Sequence, residues 1–213
     1  MIAAGAAIGL RELSMKAVAD ALGVSPPALY RHVRDREALE ALVGEHLTAG
    51  FELPVDVGQP WTDYLVELGH QLRAALLPHP GLGGYLRRLG TASAGTLRII
   101  DRCDQVLVSR GLRPVDALMA GGTVANFAIS YVEMETAAAE VADGGRERFA
   151  RAVEVIGPER LPVLAAAVAE YRSLGVESYF DWSLTALVRG IEAQLADGVH
   201  PVPDSVVRQE ARR

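Results

Sequence analysis

Between residues 15 and 33, two short segments with helically spaced apolar side chains meet at a Gly-Val-Ser-Pro-Pro junction, residues 23–27. No other stretch restricts the fold as tightly. Gly23 is free to take the left-handed backbone that ends a helix in a short turn. Ser25 is a natural N-cap, and Pro26 and Pro27 fall in a first turn, where missing N–H groups cost little. Val18, Leu22, Val24 and Leu29 are the apolar positions that would hold two helices at a steep angle, and small Ala19 permits close contact. The spacing predicts a helix, a glycine turn and a capped second helix of about two turns. Such a unit is either an αα-hairpin without a ligand or a helix-turn-helix, whose second helix enters the DNA major groove by its N-terminal residues.

The outward residues bear on that choice. Arg31 can read a guanine edge through two hydrogen bonds, worth about 1–3 kcal/mol of discrimination. Tyr30 and His32 can reach phosphates, which set register without reading sequence. Ala28 offers a methyl to a thymine, while Lys16 and Arg36 suit flanking phosphates. Charge follows the same division. Residues 1–36 carry a net +2 and the remainder −8, within a chain of net −6. A small basic head on an acidic body fits a protein in which only the head meets a polyanion, although chance clustering would give the same totals.

The rest of the chain reads as all-α. Trp61, Leu65, Leu68, Leu72 and Leu76 recur at threes and fours, as do Leu97, Ile100, Cys103 and Leu107. Pro114 and Asp116 mark a helix start over 114–135. Over 176–196, Val176, Tyr179, Phe180, Leu184, Leu187, Ile191 and Leu195 form one stripe. Ser183, Ala186, Gly190 and Ala193 form a second stripe of small residues. No segment alternates with period two. The apolar start MIAAGAAIGL lacks a basic n-region and reads as a packing helix rather than a signal peptide. No apolar run reaches the ~18–20 residues of a membrane span. Cys103 is the single cysteine, so no intrachain disulfide forms, which fits a reducing compartment. These features predict a soluble cytoplasmic protein without a membrane partner.

The run SMKAVADALGVSPPALYRHVRDREAL, residues 14–39, strongly resembles the DNA-binding segment of TetR-family bacterial transcriptional repressors. Leu29-Tyr30-x-His32-Val33 and Arg36-Glu37-x-Leu39 carry most of the likeness. Leu53-Pro54, Trp61, Arg-Ala-Ala-Leu-Leu at 73–77, Leu89-Gly90-Thr91 and Leu-Val-Arg-Gly-Ile-Glu-Ala-Gln-Leu at 187–195 resemble the tetracycline-repressor branch. The resemblance implies a three-helix helix-turn-helix domain over 1–45. A larger helical domain over 46–213 would bind a small-molecule inducer and dimerise. By carry-over, Ser14, Lys16, Ser25, Pro26, Pro27, Ala28, Tyr30, Arg31, His32 and Arg36 would contact a near-palindromic double-stranded operator. Two departures stand out. Only MIAAGAAI precedes the first turn, with no basic arm, so either the native start lies upstream of Met1 or the arm contacts are absent. Pro26 takes the place of a base-reading polar residue, so the operator sequence does not carry over.

One short recognition helix reaches few base pairs, and a twofold dimer doubles its contacts. The 176–196 stripes, with Ala120, Gly121, Val124, Ala125 and Ala128, suit a four-helix interface between subunits, or else pack within one subunit. Tyr64, Leu68, Leu72, Tyr85, Arg88, Cys103, Asn126, Phe127 and Tyr131 are candidates to line the inducer pocket, each equally readable as plain core. In the tetracycline branch a histidine just before Leu-Gly-Thr binds drug-chelated magnesium. Arg88 stands there in this chain, and Leu68 matches a polar drug contact. The resemblance therefore points away from tetracycline–magnesium and towards a larger, more apolar ligand, with no cofactor or resident metal. Induction would shift the population towards mis-spaced heads, with the helix over 37–50 as lever. Two other readings stay open. Glu67-Leu-Gly-His70 is one of the two Glu-x-x-His steps a di-iron bundle enzyme needs, and a DNA-binding protein without an inducer would share the same head.

Overall fold

The computed structural model describes residues 1–88, 93–139 and 145–201, and every regular element among them is a helix. The Leu89-Gly90-Thr91 match lies outside the described residues, as does the side chain of Val176. The head consists of α1 (Ile2–Ile8), α2 (Met15–Leu22), α3 (Pro26–Leu29) and α4 (Arg36–Thr48). Ser14 opens α2 by accepting a hydrogen bond from the Ala17 N–H at 3.0 Å. Gly23 closes it at φ 66°, its N–H reaching the Asp20 carbonyl while the Val24 N–H reaches that of Ala19. These two bonds satisfy carbonyls that the helix end would otherwise leave open. Asp35 then caps α4, accepting from the Ala38 N–H at 2.8 Å.

The body consists of α5 (Trp61–Leu76), α6 (Leu82–Arg88), α7 (Ala94–Ser109), α8 (Pro114–Ala139), α9 (Gly145–Ile156), α10 (Pro162–Ser173) and α11 (Val176–Ala196). Helix α8 is its axis, packed against α5, α6, α7 and α11. By length and composition α8 could cross a bilayer, with a mean hydropathy of 1.2 over its most apolar window, although the sequence runs predict no such segment. Half of that window is buried in the fold, the placement of a core helix. Tyr64, Leu65, Leu107, Val124, Phe180 and Leu184 form the body core. Phe180 is the hub of its aromatic part, meeting His70, Phe127 and Tyr131 at ring separations of 4.9–5.5 Å. The Arg73 guanidinium lies 5.3 Å from the Phe180 ring centre and is held there by a two-pronged pair to Glu135, at 2.8 and 3.0 Å. Helices α9 and α10 pack on each other around Ala150, Val153 and Val168.

Head and body share a second core. Leu10, Leu13, Val18, Leu29, Leu39 and Val43 of the head are continuous with Leu76, Leu82, Tyr85, Ile129 and Val132 of the body. Position 45/46 falls inside α4, so this helix belongs to both parts. Its close approach to α6 needs Gly44, where an added Cβ would stand 2.3 Å from the Tyr85 ring. A further tie runs from the Arg11 N–H to the Pro80 carbonyl at 3.3 Å.

At the start of α8, Asp116 is almost fully buried. It accepts a two-pronged bond from Arg113 at 2.7 and 2.9 Å and faces His200 Nδ1 at 3.0 Å. The Arg113 bonds, with a smaller contribution from His200, hold its carboxyl below the usual carboxylate range. A depressed folded-state value means a contribution that is complete above the unfolded value and lost as pH falls through the folded one. Asp116→Asn is expected to cost about 1.5–3 kcal/mol at neutral pH and to make stability fall less steeply on acidification. Urea unfolding of both proteins from neutral to acid pH checks this, and parallel curves would refute it.

Candidate nucleic-acid interface and ligand cavity

The turn built by Gly23 and the two prolines exposes the N-terminal face of α3. Ser25, Pro26, Pro27, Arg31 and His32 are exposed, Tyr30 is 54% exposed, and Ala28 is half-buried above the anchoring Leu29. The second helix is a single turn, not the expected two, because Tyr30 already stands at its C-cap. Ser25 occupies the N-cap position without spending its hydroxyl on a capping bond. Lys16 and Arg36 are exposed to either side. Among the described residues Lys16, Arg31 and Arg36 show no ion pair, whereas neighbouring Arg34 bonds Asp35 at 2.7 Å. Ser14 is half-buried, its oxygen already used as an acceptor by Ala17. The expected packing needs one correction. Leu22 and Val24 are 40% and 42% exposed, since a one-turn α3 is too short to cover them. Met15, Val18, Ala19, Leu29 and Val33 hold the two helices together instead.

Below the head lies a cavity of about 570 Å³, walled by α4, α5, α6, α7 and α8. Of the candidate ligand residues, Leu68, Leu72, Cys103 and Asn126 line it. Tyr64, Tyr85, Arg88, Phe127 and Tyr131 do not. Phe127 and Tyr131 belong to the body core around Phe180, on another face of α8, while Tyr64 lies one turn before Leu68 on the same face of α5, buried in that core and short of the cavity. Tyr85 is sealed under Gly44, its hydroxyl donating to the Ala41 carbonyl at 3.4 Å. Arg88 leaves the cavity side altogether and pairs with Glu40 of α4. Leu47 and Thr48 at the end of α4, Phe51 just beyond it, and Asp104 of α7 were missed in the sequence. Asp104 was detectable: it sits four residues after Ile100 and three before Leu107, a charge on an otherwise apolar stripe. Burial, then the like charge of Asp101, pushes its carboxyl up to about 6. Burial pushes the neighbouring Cys103 thiol up to about 12, so it packs as a neutral group rather than a reactive thiolate.

The expected dimer faces divide. On α8, Ala120, Val124 and Ala128 are buried within the chain, and Gly121 faces Cys103, Asp104 and Leu107 of α7. Those four are therefore internal packing, Gly121 where α7 crosses α8, and Ala125 of the same run lines the cavity. On α11, Phe180, Leu184 and Val188 turn inward, while Ala186, Gly190 and Ala193 are exposed beside Tyr179 and a 69% exposed Trp182. The Glu67-x-x-His70 step stands alone. Among the described residues no three His, Cys, Asp or Glu side chains converge, and His70 faces Asp181 at 3.7 Å.

Comparison with known proteins agrees with this architecture. Residues 6–41 match the family described as bacterial regulatory proteins, tetR family, and residues 53–195 match the tetracyclin repressor-like C-terminal domain. An HTH-type transcriptional regulator of Saccharopolyspora erythraea is 32% identical over 133 residues, 60% of this chain and 54% of that protein. The match thus spans about half of that relative's length. The class A tetracycline repressor from transposon 1721 in Escherichia coli is 26% identical, over 86% of this chain and 83% of the repressor. A crystal structure of a possible TetR family transcriptional regulator from Streptomyces coelicolor superposes with a TM-score of 0.77 at 27% identity, covering 90% of this chain and 97% of that one. With both its head and most of its body matched, the chain belongs to the TetR family: it is a DNA-binding transcriptional regulator with a tetracycline repressor-like C-terminal domain, and not an enzyme.

Proposed function

We propose that the chain is a homodimeric repressor, released from a near-palindromic operator when a largely apolar small molecule fills the body cavity. The observation that carries this reading is the double use of α4. Its last turn, with Leu47 and Thr48, walls the cavity, while its earlier turns carry Leu39 and Val43 in the core under α2 and α3. The same holds for the α5–α6 turn. Pro78 and His79 line the cavity, and Pro80 accepts the bond from Arg11 of the head. A ligand that alters this wall moves the support of the recognition helix. By linkage, it lowers operator affinity to the extent that it prefers the altered arrangement.

In this reading residues 1–45 act on DNA and 46–213 on ligand and partner, with α4 shared. Arg31 reads a base; Ala28 and the Pro26-Pro27 face pack against base edges. Lys16, Tyr30, His32 and Arg36 take phosphates, together with the hydroxyls of Ser14 and Ser25. The cavity volume is typical of a small-molecule site, and its lining is chiefly leucine and isoleucine. Arg88, in the place of the tetracycline branch's magnesium-binding histidine, lies away from that wall, which supports a ligand other than tetracycline–magnesium. The exposed α11 face, with Tyr179, Trp182 and the Ala186-Gly190-Ala193 strip, is the surface we assign to the partner subunit.

The test begins by selecting an operator from a random duplex pool. Arg31→Ala is expected to cost about 1–3 kcal/mol per half-site and to relax preference at one position. Lys16→Ala should weaken all duplexes alike and lower the salt slope by about one. Fluorescence anisotropy across a salt series separates the two outcomes. If neither variant changes binding, the head is wrongly assigned.

A further inference from the structure

We propose that the cavity selects a cationic ligand, an apolar body carrying a protonated amine, and that Asp104 is the residue that receives the amine. The inference rests on the reading of this cavity as the ligand site and adds the chemical class of what fills it. Asp104 lies on the cavity wall from α7, next to Cys103. Among the described residues its carboxylate has neither a hydrogen-bond donor nor a cation, and Asp101 adds a second negative charge one turn away. Opposite it α8 presents Gly121, where an added Cβ would meet Asp104 Oδ1 and Cys103 Sγ at 3.6 Å. The missing side chain leaves the carboxylate open to the cavity.

The remaining wall does not supply the missing charge. Arg87 is committed to Ser130 at 2.7 Å and to Glu133 at 3.0 Å. The Thr48 hydroxyl donates to the carbonyls of Gly44 and Glu45 at 3.0 and 3.1 Å. Among the described residues His79, Thr96 and Asn126 make up the rest of the polar lining, and none of them is bonded to Asp104. A half-buried carboxylate flanked by leucine and isoleucine is stabilised when an opposite charge joins it. An anionic ligand would be repelled and a neutral one would leave the charge unmatched. A protonated amine satisfies it.

Acridine and 9-aminoacridine test this, since they share one ring system and at neutral pH only the second is charged. Binding of each to the full-length protein without DNA is followed by probe fluorescence, with thermal unfolding as the folding control. The wild type is expected to bind 9-aminoacridine about tenfold to a hundredfold more tightly than acridine, the range of a hydrogen bond to a charged group. Asp104→Asn should abolish that preference while leaving acridine affinity unchanged, and Asp104→Glu should restore most of it. Because Asp104 bonds no other described residue, the Asn variant should melt no lower than the wild type. Equal binding of both probes to the wild type, or a preference that survives in Asp104→Asn, overturns the proposal and leaves the ligand-cavity reading standing. Ala125→Trp, which fills the cavity, separates the two readings. If neither probe binds the wild type the proposal falls alone, and if Ala125→Trp leaves both probes bound as before, the cavity reading falls with it.

Discussion

Gly190→Arg is expected to yield a folded monomer that has lost operator binding by about 10²–10⁴-fold, the contribution of tethering two heads to one duplex. Gly190 is exposed on α11, and a side chain added there meets nothing within 4 Å in its own subunit. Arginine therefore disturbs no packing inside the chain, and the melting temperature of the isolated subunit gives no reason for a loss of function. Against the α11 of the proposed partner subunit the same side chain would place two like charges in an apolar strip formed with Ala186, Ala193 and Trp182. Like charges brought together in such a contact are repulsive, and each must also lose water. Size-exclusion chromatography with light scattering reports the mass, and anisotropy on the selected operator reports the affinity. A variant that remains dimeric would move the interface to another face. A monomer with full affinity would end the dimeric reading of DNA recognition.

Phe180→Ala should produce the largest change in stability. Phe180 is fully buried at the meeting of α5, α8 and α11. It touches the rings of His70, Phe127 and Tyr131, and the guanidinium of Arg73 lies over it. Truncation removes the transfer energy of the ring and leaves a cavity that three helices are unable to close. The expected loss is about 3–5 kcal/mol, or roughly 6–20 °C in melting temperature for a chain of this size. Below the transition, DNA binding should survive, since Phe180 belongs to the body core and not to the core shared with the head. A loss under about 1 kcal/mol would mean that the aromatic cluster collapses freely around the gap.

Much of the head was legible because its signals are local. Gly23 in the left-handed turn, Ser25 at the N-cap position and the exposed basic side chains around Tyr30 all follow from the preferences of single residues, whereas the caps that do bond, Ser14 and Asp35, were not singled out as caps. Helix α11 has the predicted bounds, since its apolar stripe runs without interruption. Helix α6 was hidden. Pro-His-Pro-Gly-Leu-Gly-Gly at 78–84 has the composition of a turn, yet Gly83 is helical, and a Cβ there would stand 3.0 Å from Ile129. There the glycine serves contact between helices, a use that one-dimensional spacing does not distinguish from a turn.

The candidate ligand site was half legible for a related reason. Periodicity shows that Leu68, Leu72 and Cys103 face inward but not which interior they face. Phe127 and Tyr131 point into one core, and Asn126, adjacent in sequence, lines the cavity. The small residues of α8 raised the same ambiguity. A stripe that permits close approach fits a neighbouring helix of the same chain as well as one from a partner, and here α7 takes Gly121.

By itself, then, the sequence determined the helical class, the helix-turn-helix at 15–33 and the unequal charge of head and body, since these depend on residues a few positions apart. The tertiary structure decided which faces enclose the cavity, that α4 serves head and body together, and that Asp104 stands in a largely apolar wall with no partner among the described residues. Those outcomes depend on packing between residues far apart along the chain, where many side chains must fit at once and no single residue type carries the signal.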